Sequence, residues 1–188
     1  MRALVYSMGV SLDGYVIGPD GLFDWATPDP DVFAYATDEV RGVGVHLMGR
    51  RLYEAMLYWE AAEREHDLDD AEREFAALWK ALPKVVLSRT LTEVEGSSTT
   101  LATESLPGLV ERLRTESGEG VIAIGGGTLA SQAAALGLVD EYRLRVCPVL
   151  AGGGTAYFPH DRRRTDLELL STRAFDNGVV ALRYGVRR

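Results

Sequence analysis

The segment Val121-Ile122-Ala123-Ile124-Gly125-Gly126-Gly127-Thr128 constrains this chain more than any other. Four apolar residues without alternation read as a strand buried on both faces, and such strands belong to parallel sheets covered by helices. Three glycines follow, and an amphipathic helix begins near Thr128. Glycine permits positive φ and lets a ligand approach the main chain, while a helix N-terminus adds partial positive charge, so the turn suits a pyrophosphate. A tight turn alone does not require three consecutive glycines, so phosphate binding is the stronger reading of Gly125, Gly126, Gly127 and Thr128.

The same alternation of buried strand and amphipathic helix runs along most of the chain. Ala3 to Met8, Val43 to Met48 and Val85 to Ser88 are further strands. Ala71, Phe75, Leu78 and Leu82 fall at helical spacing, with Asp69 and Asp70 at the positive end and Pro83 as the stop. Apolar spacing places other helices at about Pro30 to Arg41, Arg50 to Leu57, Ser105 to Glu116 and Thr128 to Leu136. The acidic stretch from Glu60 to Glu74 reads as a solvated helix with a loop before it. The last third is strand-like, at Glu141 to Val149, Leu167 to Ala174 and Val179 to Val186, with Asp176-Asn177-Gly178 as a hairpin signal. The expected fold class is α/β, a largely parallel sheet closed by an antiparallel C-terminal edge. No repeat or linker divides the sequence, so residues 1–188 read as one domain.

Composition excludes several classes. The net charge of −8 argues against general affinity for nucleic acid or anionic membranes. No apolar run approaches the ~20 residues of a membrane-spanning helix, and the N-terminal run lacks a cleavage signal, so a cytoplasmic protein is expected. The one cysteine, Cys147, rules out an internal disulfide and any Cys-based zinc site, and its setting reads as a buried strand. His46, His66 and His160 have no ligand spacing, so any chemistry here is expected to be metal-free.

A second strand-to-helix turn, Met48-Gly49-Arg50-Arg51, puts two cations where they oppose the helix dipole, a placement that an anionic ligand would relieve. Ser88-Arg89-Thr90 ends a third strand with hydroxyl and guanidinium donors. Three strand ends carrying phosphate-type groups fit the rule that open α/β sheets bind ligands at that edge. Gly125-x-Gly127-x-x-Ala130 also satisfies a loose Rossmann fingerprint, but Asp140 and Glu141 precede the next strand where that pattern needs an acidic residue after it.

In their order and spacing, Ser11-Leu12-Asp13-Gly14-Tyr15-Val16-Ile17, Met48-Gly49-Arg50, Leu87-Ser88, Gly125-Gly126-Gly127-Thr128, Val139-Asp140-Glu141 and Tyr157-Phe158-Pro159 make the chain resemble the dihydrofolate-reductase superfamily. The resemblance covers nearly the whole length and is to the C-terminal branch of the bifunctional deaminase-reductases. It implies a three-layer α/β/α fold and NADPH rather than NADH. In that frame the glycine turn holds the pyrophosphate, and Gly49, Arg50, Arg51, Ser88 and Arg89 surround the 2′-phosphate. Met8 to Gly18, Ile17 included, lines the nicotinamide, and Gly18 to Trp25 is a mobile lid. A homodimer is the family expectation.

Reduction of a C=N or C=O bond needs a proton donor beside the acceptor. True dihydrofolate reductases carry a carboxylate on the first helix, and the aligned position here is Phe33, with Asp31 a small shift away. Asp31, Tyr35 and Asp38 share a helix face. Asp31 and Asp38, with Asp13 as an alternative, are the candidate catalytic groups, and Trp25 and Tyr35 the candidate substrate contacts. The resemblance suggests a ribosylaminouracil intermediate of riboflavin synthesis or a reduced pterin as substrate. Two other readings stand beside it: an NADP-binding sensory protein without turnover, and a Rossmann-type NAD dehydrogenase.

Overall fold

The computed structural model describes residues 1–26, 29–158 and 164–188; Pro159 and His160, singled out in the sequence, lie outside the described residues. The elements in chain order are β1 (Leu4–Ser11), β2 (Tyr15–Ile17), α1 (Pro30–Arg41), β3 (Val43–Gly49), α2 (Arg50–Met56), α3 (Tyr58–Glu65) and α4 (Asp70–Ala81), then β4 (Lys84–Leu87), β5 (Thr99–Ala102), α5 (Leu106–Thr115), β6 (Val121–Gly125), α6 (Gly127–Ala135), β7 (Glu141–Cys147), β8 (Thr155–Ala156), β9 (Leu167–Ala174) and β10 (Val180–Val186).

Eight strands form one sheet in the order β5-β4-β3-β6-β1-β7-β10-β9, parallel from β5 to β7 and antiparallel where β10 meets β7 and β9. β2 and β8 pair in a separate ribbon. Helices cover both faces. Leu4, Tyr6, Leu47, Ile122 and Ile124 pack with Leu109, Val110 and Leu113 of α5 and with Ala130 and Ala133 of α6. On the opposite face Met48 and Val86 meet Tyr53 of α2 and Phe75 and Trp79 of α4, with Phe33 and Val40 of α1 packed against them.

Local chemistry sets the helix ends. Asp29 accepts from the Val32 amide at the start of α1, with Pro30 in the first turn. Asp69 and Glu72 form a reciprocal capping box on α4, and Ser105 caps α5. The capping box divides the acidic stretch that read as a single helix: α3 ends at Glu65, and α4 starts afresh at Asp70. The hairpin between β9 and β10 closes as expected, with Gly178 at φ +86° and the Val179 amide donating to Asn177 Oδ1 at 3.1 Å. β2, β5 and β8 have two to four residues each, too few to show a period of their own. Cys147 is buried, as its strand setting suggested. No helix among the described residues is long and apolar enough to cross a membrane.

Candidate functional site

β4, β3 and β6 are neighbours and parallel, so the turns after Leu87, Gly49 and Gly125 emerge at one edge of the sheet. At the third turn Gly126 stands at φ +86° and is the N-cap of α6, with no side chain capping the helix. An L side chain at that φ is strained. Gly127, in the first turn of α6, is confined by the β2–β8 ribbon: an added Cβ would lie 2.7 Å from Thr155 Cγ2 and 2.8 Å from Val16 Cγ2. The helix therefore begins with uncapped amides and an exposed Thr128, the arrangement that receives an anion.

The basic groups stand beside it. Arg50 Nε donates to Glu54 Oε1 at 2.6 Å and Nη1 reaches Thr90 Oγ1 at 3.4 Å, which joins α2 to the turn after β4. Ser88 is buried, and its hydroxyl oxygen accepts from the Thr90 and Leu91 amides at 3.2 and 3.1 Å, so it shapes the turn that presents Arg89. Arg51 and Arg89 are exposed and have no ion-pair or hydrogen-bond partner among the described residues. Behind the turn, His46 of β3 meets Trp79 edge-on with ring centroids 5.3 Å apart, and burial lowers its pKa to about 4.

Beyond β6 lies β1. Ser7, Met8 and Gly9 are half-buried; they pair with β7 and lie past the last residue of β1 that pairs with β6, Tyr6, so the sheet opens beside them on that side. The chain then turns through Asp13, whose carboxylate accepts from Ser11 Oγ at 2.7 Å, Ala151 N at 2.9 Å and Gly152 N at 2.7 Å. The Ser11 hydroxyl first, then the backbone donors, hold the carboxyl below the usual range. An ionised carboxylate with three donors suits an anchor between two loops rather than a proton source. Ile17 ends the ribbon. Gly18 accepts the next turn, with its amide donating to Leu22 O at 2.8 Å and its Cα facing the Trp25 ring. Trp25 packs with Val32, Cys147, Phe175, Val179 and Ala181, and its buried Nε1 has no hydrogen-bond partner among the described residues.

On α1 the expected polar face divides. Asp31 is exposed in the first turn, and Tyr35 stacks edge-on with Phe175 at 5.6 Å. Asp38 instead pairs with Arg41, which also reaches Glu74 of α4, so Asp38 faces the neighbouring helix and not Tyr35's surroundings. Phe33, at the aligned acid position, fills space between Trp59 and Phe75. The carboxylate that α1 does turn toward the sheet is Glu39, which the sequence reading passed over. Glu39 Oε2 accepts from Ser7 Oγ at 3.0 Å and Arg145 Nη1 at 2.6 Å. Glu39 Oε1 is buried without a hydrogen bond among the described residues, 3.7 Å from Arg143 Nη1. Arg143 and Arg183 converge on Glu141 at 2.8 and 2.7 Å. Burial would raise the Glu141 carboxyl, but these guanidinia outweigh it and hold it low. The available sequence signal was the alternation Glu141, Arg143, Arg145, placing three charges on one strand face, and the spacing of Val32, Tyr35 and Glu39 on one helix face. Among the described residues no group of His, Cys, Asp and Glu could hold a metal ion.

Comparison with known proteins agrees with this fold. The RibD C-terminal domain family matches residues 2–181. The uncharacterised protein YyaP of Bacillus subtilis is 31% identical over 183 residues, covering 97% of this chain and 94% of YyaP. Solved structures share the fold. One is a protein of Shewanella sp. PV-4 described as a candidate riboflavin biosynthesis protein, at TM-score 0.78 and 23% identity with full coverage of both chains. Another is dihydrofolate reductase of Enterococcus faecalis in complex with NADP(H) and RAB-propyl, at TM-score 0.63 and 15% identity, covering 99% of this chain and 97% of that one.

Proposed function

The chain belongs to the RibD C-terminal domain family, and from that premise we propose that it is an NADPH-dependent reductase acting on a small heterocyclic acceptor, an aminouracil or a reduced pterin. The observation that carries this reading is the glycine turn with its uncapped helix beside two unpaired arginines. The first suits a pyrophosphate, and the second a phosphate monoester with no carboxylate to compete for it. An NAD-type site would call for an acidic residue in that place.

In this reading the uncapped amides of α6 hold the pyrophosphate, and Arg50, Arg51 and Arg89 surround the 2′-phosphate, with Ser88 fixing the loop. Met8, Gly9, Ile17 and Gly18 form the wall against which the nicotinamide lies. Bound there, the cofactor supplies hydride. Trp25 and Tyr35 bound the acceptor, and the exposed tip of the Gly18–Trp25 loop closes over it to exclude water. Asp31 stands at the exposed end of α1, where it can pass a proton in from solvent, and Asp13 keeps the two loops in register. The uncovered β9, with Leu169 and Leu170 exposed, offers an edge for a second copy in a homodimer.

The test is the loss of NADPH absorbance on adding phosphorylated aminouracil or pterin acceptors to the purified protein. The reading requires oxidation with at least one of them. Binding of NADPH without oxidation by any acceptor would favour a cofactor-binding protein without turnover.

A further inference from the structure

The segment between β4 and β5 carries Arg89, yet its own backbone does little to hold it. β4 and β5 pair from Lys84 with Thr99 to Leu87 with Ala102, and the Ser88 amide adds a bond to Ala102 O at 3.3 Å. Beyond that point no amide from residue 89 to 97 donates to a main-chain carbonyl among the described residues. Exposed backbone without such bonds belongs to the least stable part of a fold. An arginine that is to meet one phosphate needs a base that is already in place, so what pins this segment matters.

Side chains supply the missing partners. Ser88 Oγ takes the Thr90 and Leu91 amides at the near end. At the far end Tyr53 of α2 accepts from the Glu95 amide at 2.9 Å, and its hydroxyl reaches back to Glu95 O at 3.4 Å. Glu60 of α3 accepts from the Ser97 amide at 3.1 Å. Gly96, at φ +96°, lets the chain lie against that carboxylate, since an added Cβ would stand 3.3 Å from Glu60 Cδ. Leu91 and Val94 pack on the core below, but a cleft lined by Met48, Tyr53, Met56, Leu57, Glu60 and Thr99 stays open at the roots of both anchors. Packing is therefore incomplete where the hydrogen bonds are made.

The anchors are themselves well held. Tyr53 is buried, one turn beyond Arg50, and Arg50 Nη1 reaches Thr90 Oγ1 at 3.4 Å. α2 thus grips the segment at Thr90 and again at Glu95, while its first turn carries Arg51. Glu60 Oε1 lies 3.8 Å from Nζ of the buried Lys84, which also donates to Trp79 O and Leu82 O at the end of α4.

We propose that Tyr53 and Glu60 are positioning residues that fix the spacing of Arg51 and Arg89, and that this spacing sets the preference for a 2′-phosphate. This rests on the reductase reading for the ligand but not for the anchoring. Neither residue touches the cofactor; each acts through the segment from 88 to 97 and the arginine on it.

The experiment compares Tyr53→Phe, which removes one hydroxyl from a buried ring, with Glu60→Gln, which keeps an oxygen for the Ser97 amide, and Glu60→Ala, which does not. Hydrogen exchange at the Glu95 and Ser97 amides reads the anchoring, and titration with NADPH and with NADH reads its consequence. Tyr53→Phe should speed exchange at Glu95 and weaken NADPH by about fivefold each, the scale of one lost hydrogen bond, with NADH affinity unchanged. Glu60→Ala should do the same at Ser97, and Glu60→Gln should restore most of the loss. A merely structural role would lower the thermal midpoint and the two affinities together and leave their ratio alone. Should Glu60→Ala fail to fold, Tyr53→Phe decides. Unchanged exchange in Tyr53→Phe, or faster exchange with the full NADPH preference retained, overturns the proposal and leaves the reductase reading intact. A wild type with no preference for NADPH overturns both.

Discussion

Where β3, β4 and β6 end, the surface offered to a ligand is main chain: uncapped amides, a glycine at positive φ and exposed arginines that bond to little. Where α1 crosses β1, β7 and β10, it is side chain: a serine, two glutamates and three arginines from four separate segments, closed on one another at 2.6 to 3.7 Å. The first arrangement suits a group with phosphates, and a few surface cations stand beside it. The second is half-buried and mutually compensated, so each member depends on the others.

The largest effect should come from breaking that dependence. Glu39→Ala leaves Arg145 and Arg143 short of a carboxylate in a half-closed site, and should cost about 3 kcal/mol of stability in a denaturant titration, with NADPH affinity little changed in the variant that still folds. If Glu39→Ala is neutral, the cluster is solvated surface and the contrast between the two regions fails. Next is Gly126→Val, which forces a β-branched residue to φ +86°. It should weaken NADPH binding by about a hundredfold, on the scale of ~2–3 kcal/mol of backbone strain at a functional turn. A smaller, selective loss is expected from Arg51→Ala. NADPH should weaken by about tenfold and NADH hardly at all, in keeping with one charge-assisted contact to phosphate.

The smallest effect joins the two regions through pH. His46, behind the glycine turn, has a folded pKa of about 4 against an ordinary 6.5. It is therefore neutral in the folded chain, and the unfolded chain binds the extra proton between those values. The stability it contributes is full above about pH 6.5 and is lost as pH falls through about 4. His46→Phe should flatten the slope of stability against pH across that window, measured by denaturant midpoints, without altering the difference between NADPH and NADH.

The contrast also explains how far the sequence could be read. The glycine-turn edge was legible because its determinants are local. Gly125 to Thr128 and Gly49 to Arg51 each span one turn, and parallel pairing of β4, β3 and β6 assembles them with no further information. The order of strand and helix, α1 at Pro30–Arg41 and β9 at Leu167–Ala174 follow from capping residues and period alone. The α1 side was not legible, because its geometry depends on which face of α1 meets which strand. Asp31, Tyr35 and Asp38 share a face on a helical wheel, yet Arg41 and Glu74 draw Asp38 toward α4, and Glu39 turns to Ser7, 32 positions away, and to Arg145, 106 positions away. Asp13 looked like a turn residue or a catalytic one and stands as a clamp on residues 151 and 152, a contact no spacing encodes.

The most direct test of the account is a paired titration of the wild-type protein and the Arg51→Ala, Arg89→Ala double variant with NADPH and NADH, followed by Trp25 fluorescence, since Trp25 lies between the loop and the site. The account predicts tight NADPH binding by the wild type, a strong preference over NADH, and collapse of that preference in the double variant with NADH binding preserved. Equal binding of the two cofactors by the wild type, or of neither, would contradict it.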